Sequence, residues 1–246
     1  MAAVSARMTG LPVMVITGAT SGVGEAAVRR FAANHRVVAL ARTEAALQSL
    51  KQSCGAHAAN VEVHVCDVSR REDVVQTCER ILDHFGRVDV LINSAGIFKP
   101  APVTELSLDD VDTMIDVNLK GTIYITKTLV PAMIKHKSGK IIMINSVAGT
   151  PTWTPPGETV YCASKHGQSG FASALANEMR EHGITVMSVH PGGIDTTMQR
   201  NLGTPEHIRD KFLTADEVVD AVEYMVNASS KVLVKAVNLW SSNFWH

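Results

Sequence analysis

A doubly wound parallel α/β sheet, about seven strands with helices on both faces, is the fold class this sequence predicts. Three observations predict it. Short runs rich in Val and Ile alternate with longer amphipathic stretches along most of the chain. The short runs are apolar at successive positions, as strands covered on both faces are. A glycine-rich turn directly follows the first of them. Such alternation implies right-handed strand–helix–strand units packed into one layered sheet.

The elements follow in order. Residues 12–17 (PVMVIT) read as the first strand and 22–34 as the first helix, joined by TGATSGVG, Thr17 to Gly24. Residues 36–41 (RVVALA) and 61–66 (VEVHVC) read as strands, with a helix over 43–53 between them and another over 70–85 after them. Residues 88–93 (VDVLIN) form a fourth strand, followed by a long helix over 107–136. Ser69 and Ser107 stand where helix N-caps belong, each with acidic residues soon after. Residues 140–145 (KIIMIN), a helix over 159–182 and residues 184–190 (ITVMSVH) come next, and His182–Gly183 has the form of a helix end. A helix over 215–228 and a seventh strand over 231–239 (KVLVKAVNL) complete the pattern. Residues 150–158 and 192–214 are irregular, and loops beyond strand C-termini are where such sheets bind ligands.

Bulk properties bound the function. A chain of 246 residues fits one domain, here 1–246 with a loose leader over 1–11. A net charge of −1 gives no basic excess to attract nucleic acid or an anionic membrane surface. No apolar run reaches the ~18 residues of a membrane span. Cys54, Cys66, Cys78 and Cys162 include no CxxC pair, so neither metal nor disulfide is expected and a reducing, cytoplasmic setting is the default.

Two short motifs carry chemistry. In the turn, Gly18, Gly22 and Gly24 let the backbone approach a pyrophosphate seated on a helix N-terminus. In YCASK, Tyr161 and Lys165 are four apart and leave one helix face. They are either an ordinary surface pair or a proton-transfer pair, in which the ammonium lowers the phenol pKa from its usual value of about 10. The second strand ends in ALAR. Ala41 stands where an acid would hold the adenosine ribose of NAD, and Arg42 and Thr43 follow. A guanidinium suits a 2′-phosphate. NADP(H) is therefore expected, with NAD(H) as the alternative.

TGATSGVG, CDVS (66–69), NSAG (93–96), VNLKG (117–121), NSVAG (145–149), YCASK (161–165) and HPGGIDT (190–196) occur in the order seen in short-chain dehydrogenases/reductases. The chain resembles the compact, single-domain, Rossmann-like branch of that family over nearly its whole length. The resemblance implies a catalytic tetrad of Asn118, Ser146, Tyr161 and Lys165. Tyr161 would be the general acid/base, Ser146 would hold the substrate oxygen and Lys165 would bond the nicotinamide ribose. Asn118 would support a water relaying protons to the lysine. It also implies a cofactor site of Thr17, Gly18, Ser21, Gly22, Val23, Gly24, Arg42, Thr43, Asp67, Val68, Asn93, Ala95, Gly96, Tyr161, Lys165, Pro191, Gly192, Ile194 and Thr196. Ser94 replaces the usual second Asn of its motif.

The expected reaction interconverts a carbonyl and an alcohol on a small molecule. An NAD(H)-dependent alcohol dehydrogenase and a non-catalytic NADP(H)-binding sensor or scaffold are the alternatives. Ser146 and Tyr161 are 161 − 146 = 15 apart, about two more than in relatives. The extra length falls in residues 150–158, where Trp153 would wall the substrate pocket beside Ser146 and Tyr161. Met198, Arg200 and His207, in the second loop, would also touch substrate. Trp240, Phe244 and Trp245 are expected to pack against a second subunit. Family members of this size imply a homodimer or homotetramer built through the helices that start near Ser107 and Thr159.

Overall fold

A computed structural model describes residues 10–152, 155–229 and 231–243. Of the expected leader, residues 1–9 lie outside the described residues, and Gly10 and Leu11 are exposed. The chain runs β1 (Val13–Thr17), α1 (Gly22–Phe31), β2 (Arg36–Ala41), α2 (Glu44–Ser53), β3 (Val61–Val65), α3 (Arg71–Phe85) and β4 (Val90–Asn93). It continues with α4 (Leu108–Met114), a π-helical turn (Ile115–Gly121), α5 (Thr122–His136), β5 (Gly139–Ile144), α6 (Thr159–Met179) and β6 (Ile184–Pro191). Two short helices, α7 (Thr197–Asn201) and α8 (Glu206–Arg209), precede α9 (Ala215–Asn227) and β7 (Ala236–Leu239).

All seven strands lie parallel in one sheet of order β3-β2-β1-β4-β5-β6-β7. The order reverses at β1, which pairs with both β2 and β4. The glycine turn leaves the sheet at that point, where a crevice opens beyond the strand ends. Alternation along the strands explains two cores. Met14 and Ile16 face α1 and α9, where Phe31, Val218 and Met225 are buried. Val13 and Val15 face the other way, toward the layer of Ile81, Ile125 and Leu129. Both faces of each central strand are covered, which is why the strands are apolar throughout.

The expected long helix is continuous but carries the π-helical turn at Ile115–Gly121, which holds Asn118. Such insertions are frequent at functional sites. Ser107 caps α4 as expected, accepting from the Asp110 N–H at 3.1 Å. Ser69 caps nothing: α3 starts at Arg71, and the Ser69 hydroxyl donates to Asp67. The seventh strand begins at Ala236, not at 231. Its pairing starts at Ser188 of β6, and Val232 and Leu233 lie exposed. The second loop is not irregular throughout but holds α7 and α8.

Candidate active site

The turn after β1 is built by backbone proximity. The Thr17 hydroxyl accepts from the N–H groups of Ser94 (3.0 Å) and Ala95 (3.1 Å), tying the ends of β1 and β4 together. Gly18 has φ +63, and a Cβ there would stand 2.7 Å from the Ala95 Cα. A Cβ on Gly24 would lie 2.3 Å from the Gly18 carbonyl oxygen. Both positions admit only glycine without a backbone shift. Ser21 precedes α1 but makes no side-chain bond to it, which leaves the first amides of a ten-residue helix for an anion. The cradle therefore fits a pyrophosphate.

On the other side of β1, Ser146 lies two residues beyond β5 and its hydroxyl accepts from the Ala148 N–H at 3.1 Å. Tyr161 and Lys165 sit one turn apart on α6, with the Lys165 Nζ 5.8 Å from the tyrosine ring centre. Lys165 donates to the Gln168 Oε1 (2.8 Å) and to the Ile144 carbonyl (3.2 Å). Asn118 is fully buried. Its Oδ1 accepts from the Ile97 N–H (2.8 Å), and its Nδ2 donates to the Ile97 carbonyl (2.9 Å) and the Ser164 hydroxyl (3.1 Å). It thus clamps the segment after β4 onto α6. A Cβ on Gly96 would meet the Asn118 Oδ1 at 3.5 Å and the Lys165 Nζ at 3.8 Å, so these groups converge there.

A cavity of about 440 Å³ runs between the turn and these side chains. Of the residues expected from sequence, Ser21, Gly22, Val23 and Gly96 line it on one side and Ser146, Tyr161 and Lys165 on the other. Gly192, Ile194, Thr196 and Met198 close it from the strand β6 end. Ser94 lines it, whereas Asn93 and Ala95 do not. The Asn93 amide instead donates to the Thr126 hydroxyl at 3.0 Å within the core. Asn118, Thr17, Gly18, Gly24 and Pro191 shape the cavity from behind its wall.

The electrostatics differ from the expectation. Burial pushes the Tyr161 phenol up to about 12, Ser146 pulls it back and the Glu158 charge raises it further. Burial lowers Lys165 to about 7. The lysine was expected to depress the phenol; here desolvation acts on both groups and favours both neutral forms.

Further out, Arg42 and Thr43 are exposed at the end of β2. Among the described residues Arg42 has no ion-pair partner, and the nearby Glu44 is taken by Gln48 at 2.7 Å. The Asp67 carboxylate accepts from the Ser69 N–H (3.0 Å) and hydroxyl (2.7 Å). Val68 packs on Gly121, where a Cβ would meet it at 2.8 Å.

Several site residues escaped the sequence reading. Gln168 passes the Lys165 contact on, donating to the Thr122 hydroxyl (2.8 Å), which donates to the Asn118 carbonyl (2.9 Å). Its spacing of three from Lys165 on one helix was the available signal. His190 bonds the Ser146 carbonyl at 3.1 Å through Nδ1, and burial lowers its pKa. Phe98 packs on Tyr161 with ring centres 4.6 Å apart. Glu158, Phe212 and Trp240 line the cavity. The Trp240 ring lies against Gly192, 3.2 Å from where a Cβ would stand. Phe244, Trp245 and Trp153 lie outside the described residues. Arg200 and His207 do not line the cavity. Arg200 and Arg209 bind Asp195 at 3.0 and 2.9 Å, bracing α7 and α8.

Among the described residues, no helix is long and apolar enough to cross a membrane. The sequence profile described as short chain dehydrogenase matches residues 12–207. An uncharacterized oxidoreductase of Staphylococcus epidermidis is 34% identical over 229 residues, covering 92% of this chain and 96% of that protein. The 3-oxoacyl-(acyl-carrier-protein) reductase of Thermotoga maritima is 36% identical over 203 residues, covering 82% of this chain and 81% of its own. Among solved structures, the closed form of a serine dehydrogenase complexed with NADP+ superposes with a TM-score of 0.84 at 29% identity, over 92% of this chain and 94% of that one.

Proposed function

The chain belongs to the short chain dehydrogenase family of oxidoreductases, and from that premise we propose that it is an NADP(H)-dependent enzyme interconverting a carbonyl and an alcohol on a small molecule, with Tyr161 as general acid/base. The observation that carries the reading is the cavity itself, which joins the glycine cradle to Ser146, Tyr161 and Lys165.

The bound nicotinamide supplies or accepts the hydride at the reacting carbon. The α1 N-terminus, with Ser21, Gly22 and Val23, would hold the pyrophosphate; Arg42 would take the 2′-phosphate; Gly192, Ile194 and Thr196 would hold the nicotinamide end. Ser146 holds and polarises the substrate oxygen. Tyr161, neutral at pH 7 by its raised pKa, donates its proton to that oxygen in reduction and recovers it in oxidation. Lys165 is fixed by Gln168 and the Ile144 carbonyl, with its Nζ 5.8 Å from the Tyr161 ring centre, and would bond a ribose hydroxyl of the cofactor. Asn118 holds the wall behind Gly96 in place through its three bonds. NADP(H) is favoured over NAD(H) by Ala41 where an acid would otherwise sit, by Arg42 beside it with no ion-pair partner among the described residues, and by the NADP+ held in the similar serine dehydrogenase. A homodimer or homotetramer through the exposed faces of α4–α5 and α6 completes the reading.

The test is a panel of small ketones and aldehydes with NADPH, followed by absorbance. Tyr161→Phe should lower kcat by about 10²–10⁴-fold while leaving NADPH affinity nearly unchanged. Wild type and variant consuming NADPH at one rate would defeat the assignment.

A further inference from the structure

The cavity wall carries one carboxyl group, and the mechanism above does not use it. Glu158 is the residue immediately before α6, three before Tyr161, and it lines the cavity. Though it stands at the head of a helix, its side chain makes no capping bond. No Arg, Lys, His or N–H group among the described residues meets it. Other half-buried carboxylates in this fold are matched: Asp195 by two arginines, and Asp89 by Arg87 and the Val13 N–H. Lys165, the other charged side chain on the wall, is committed to Gln168 and the Ile144 carbonyl. Burial pushes the Glu158 carboxyl up to about 7. The Glu158 charge acts on Tyr161, whose ring packs on Phe98, and Phe212 and Trp240 line the same cavity.

A desolvated carboxylate is unfavourable until a cation meets it. Aromatic faces attract the same cation through their quadrupoles. One unmatched carboxyl among aromatic rings is complementary to an organic ammonium group and repels an anion.

Resting on the carbonyl–alcohol reading, we propose that Glu158 selects the substrate, which is a small carbonyl or alcohol compound carrying an amine whose ammonium group pairs with the Glu158 carboxylate. Glu158 stands at the N-cap of α6, three residues before Tyr161, and its charge acts on the phenol, which places the amine a few bonds from the reacting carbon. Substrates with a carboxylate at that position are disfavoured by like charge.

Two measurements test this together. The first titrates n-butylammonium, and n-butanol as the neutral control, into NADPH-loaded protein by calorimetry. Butylammonium should bind more tightly than butanol, and Glu158→Gln should weaken it by about tenfold or more. The second compares kcat/KM for three ketones of one chain length, ending in an ammonium, a methyl and a carboxylate. Wild type should prefer the amino ketone over the methyl ketone by about tenfold or more, and Glu158→Gln should erase that ratio. Glu158→Lys should turn the preference toward the keto acid, a gain that misfolding cannot produce. Equal butylammonium binding in wild type and Glu158→Gln, or a wild-type preference for the methyl ketone or keto acid, overturns the proposal. If no ketone is reduced, the carbonyl reading fails, and the calorimetric arm alone decides whether Glu158 binds ammonium.

Discussion

Tyr161 and Lys165 are the residues whose environment matters most, and burial rules both. Lys165 sits at about 7 in the folded protein, against 10.5 ordinarily. Between those values the unfolded chain binds more protons, so this group makes stability rise with pH from about 7 to about 10. Tyr161 sits at about 12 against 10.0, which makes its contribution fall over that higher interval. Lys165→Met should therefore raise the melting temperature of the cofactor-free protein at pH 7 and flatten its rise toward pH 10, as read by scanning calorimetry. An unchanged profile would mean that the ammonium is solvated. Arg42 is a different case, exposed and unmatched at the end of β2. Arg42→Ala should cost NADPH about 1.4 kcal/mol or more of its advantage over NADH, in fluorescence titrations. Arg42 and the Tyr161–Lys165 pair were legible because their signals are local: a strand end and an i,i+4 spacing. Glu158, Gln168 and Trp240 were not, because what defines them is contact across elements. Glu158 reads in sequence as an ordinary acidic residue at a helix start, and only the fold turns its carboxyl into the cavity.

Two local distortions of regular structure build the site. In the glycine turn, the 2.3 Å that would separate a Gly24 Cβ from the Gly18 carbonyl leaves no room for a methyl group. Gly24→Ala should displace the turn, weakening NADPH binding by about tenfold or more and lowering the melting temperature. In the π-helical turn, Asn118 satisfies both backbone groups of Ile97. Asn118→Ala orphans them and should destabilise by about 1–3 kcal/mol in urea unfolding, apart from any loss of rate. The glycine turn was plain from its place between a strand and a helix. The π-helical turn was not, since IDVNLKG has the apolar spacing of an ordinary helix. Strand boundaries showed the same limit at β7. VLV at 232–234 has strand composition, but Val232 and Leu233 lie exposed and pairing with β6 starts only at Ala236, opposite Ser188.

The whole molecule places these elements by topology. Reversal of strand order at β1 opens the crevice, and the two apolar layers hold the turn, β4, β5 and α6 at fixed distances across it. That architecture was readable from alternation alone, because a parallel sheet buried on both faces demands strands without a polar side. The placing of α7 and Trp240 at the cavity was not, since it depends on the Asp195 ion pairs and on contacts from the far end of the chain. The oligomer proposed through α4–α5 and α6 should appear as twice or four times the chain mass in light scattering. The claim on which everything else stands is that this cavity receives a nicotinamide dinucleotide phosphate, and the most direct measurement is titration of the purified protein with NADPH and NADH by fluorescence. Saturable NADPH binding, about tenfold or more tighter than NADH, is the predicted result. Binding of neither cofactor would contradict the account.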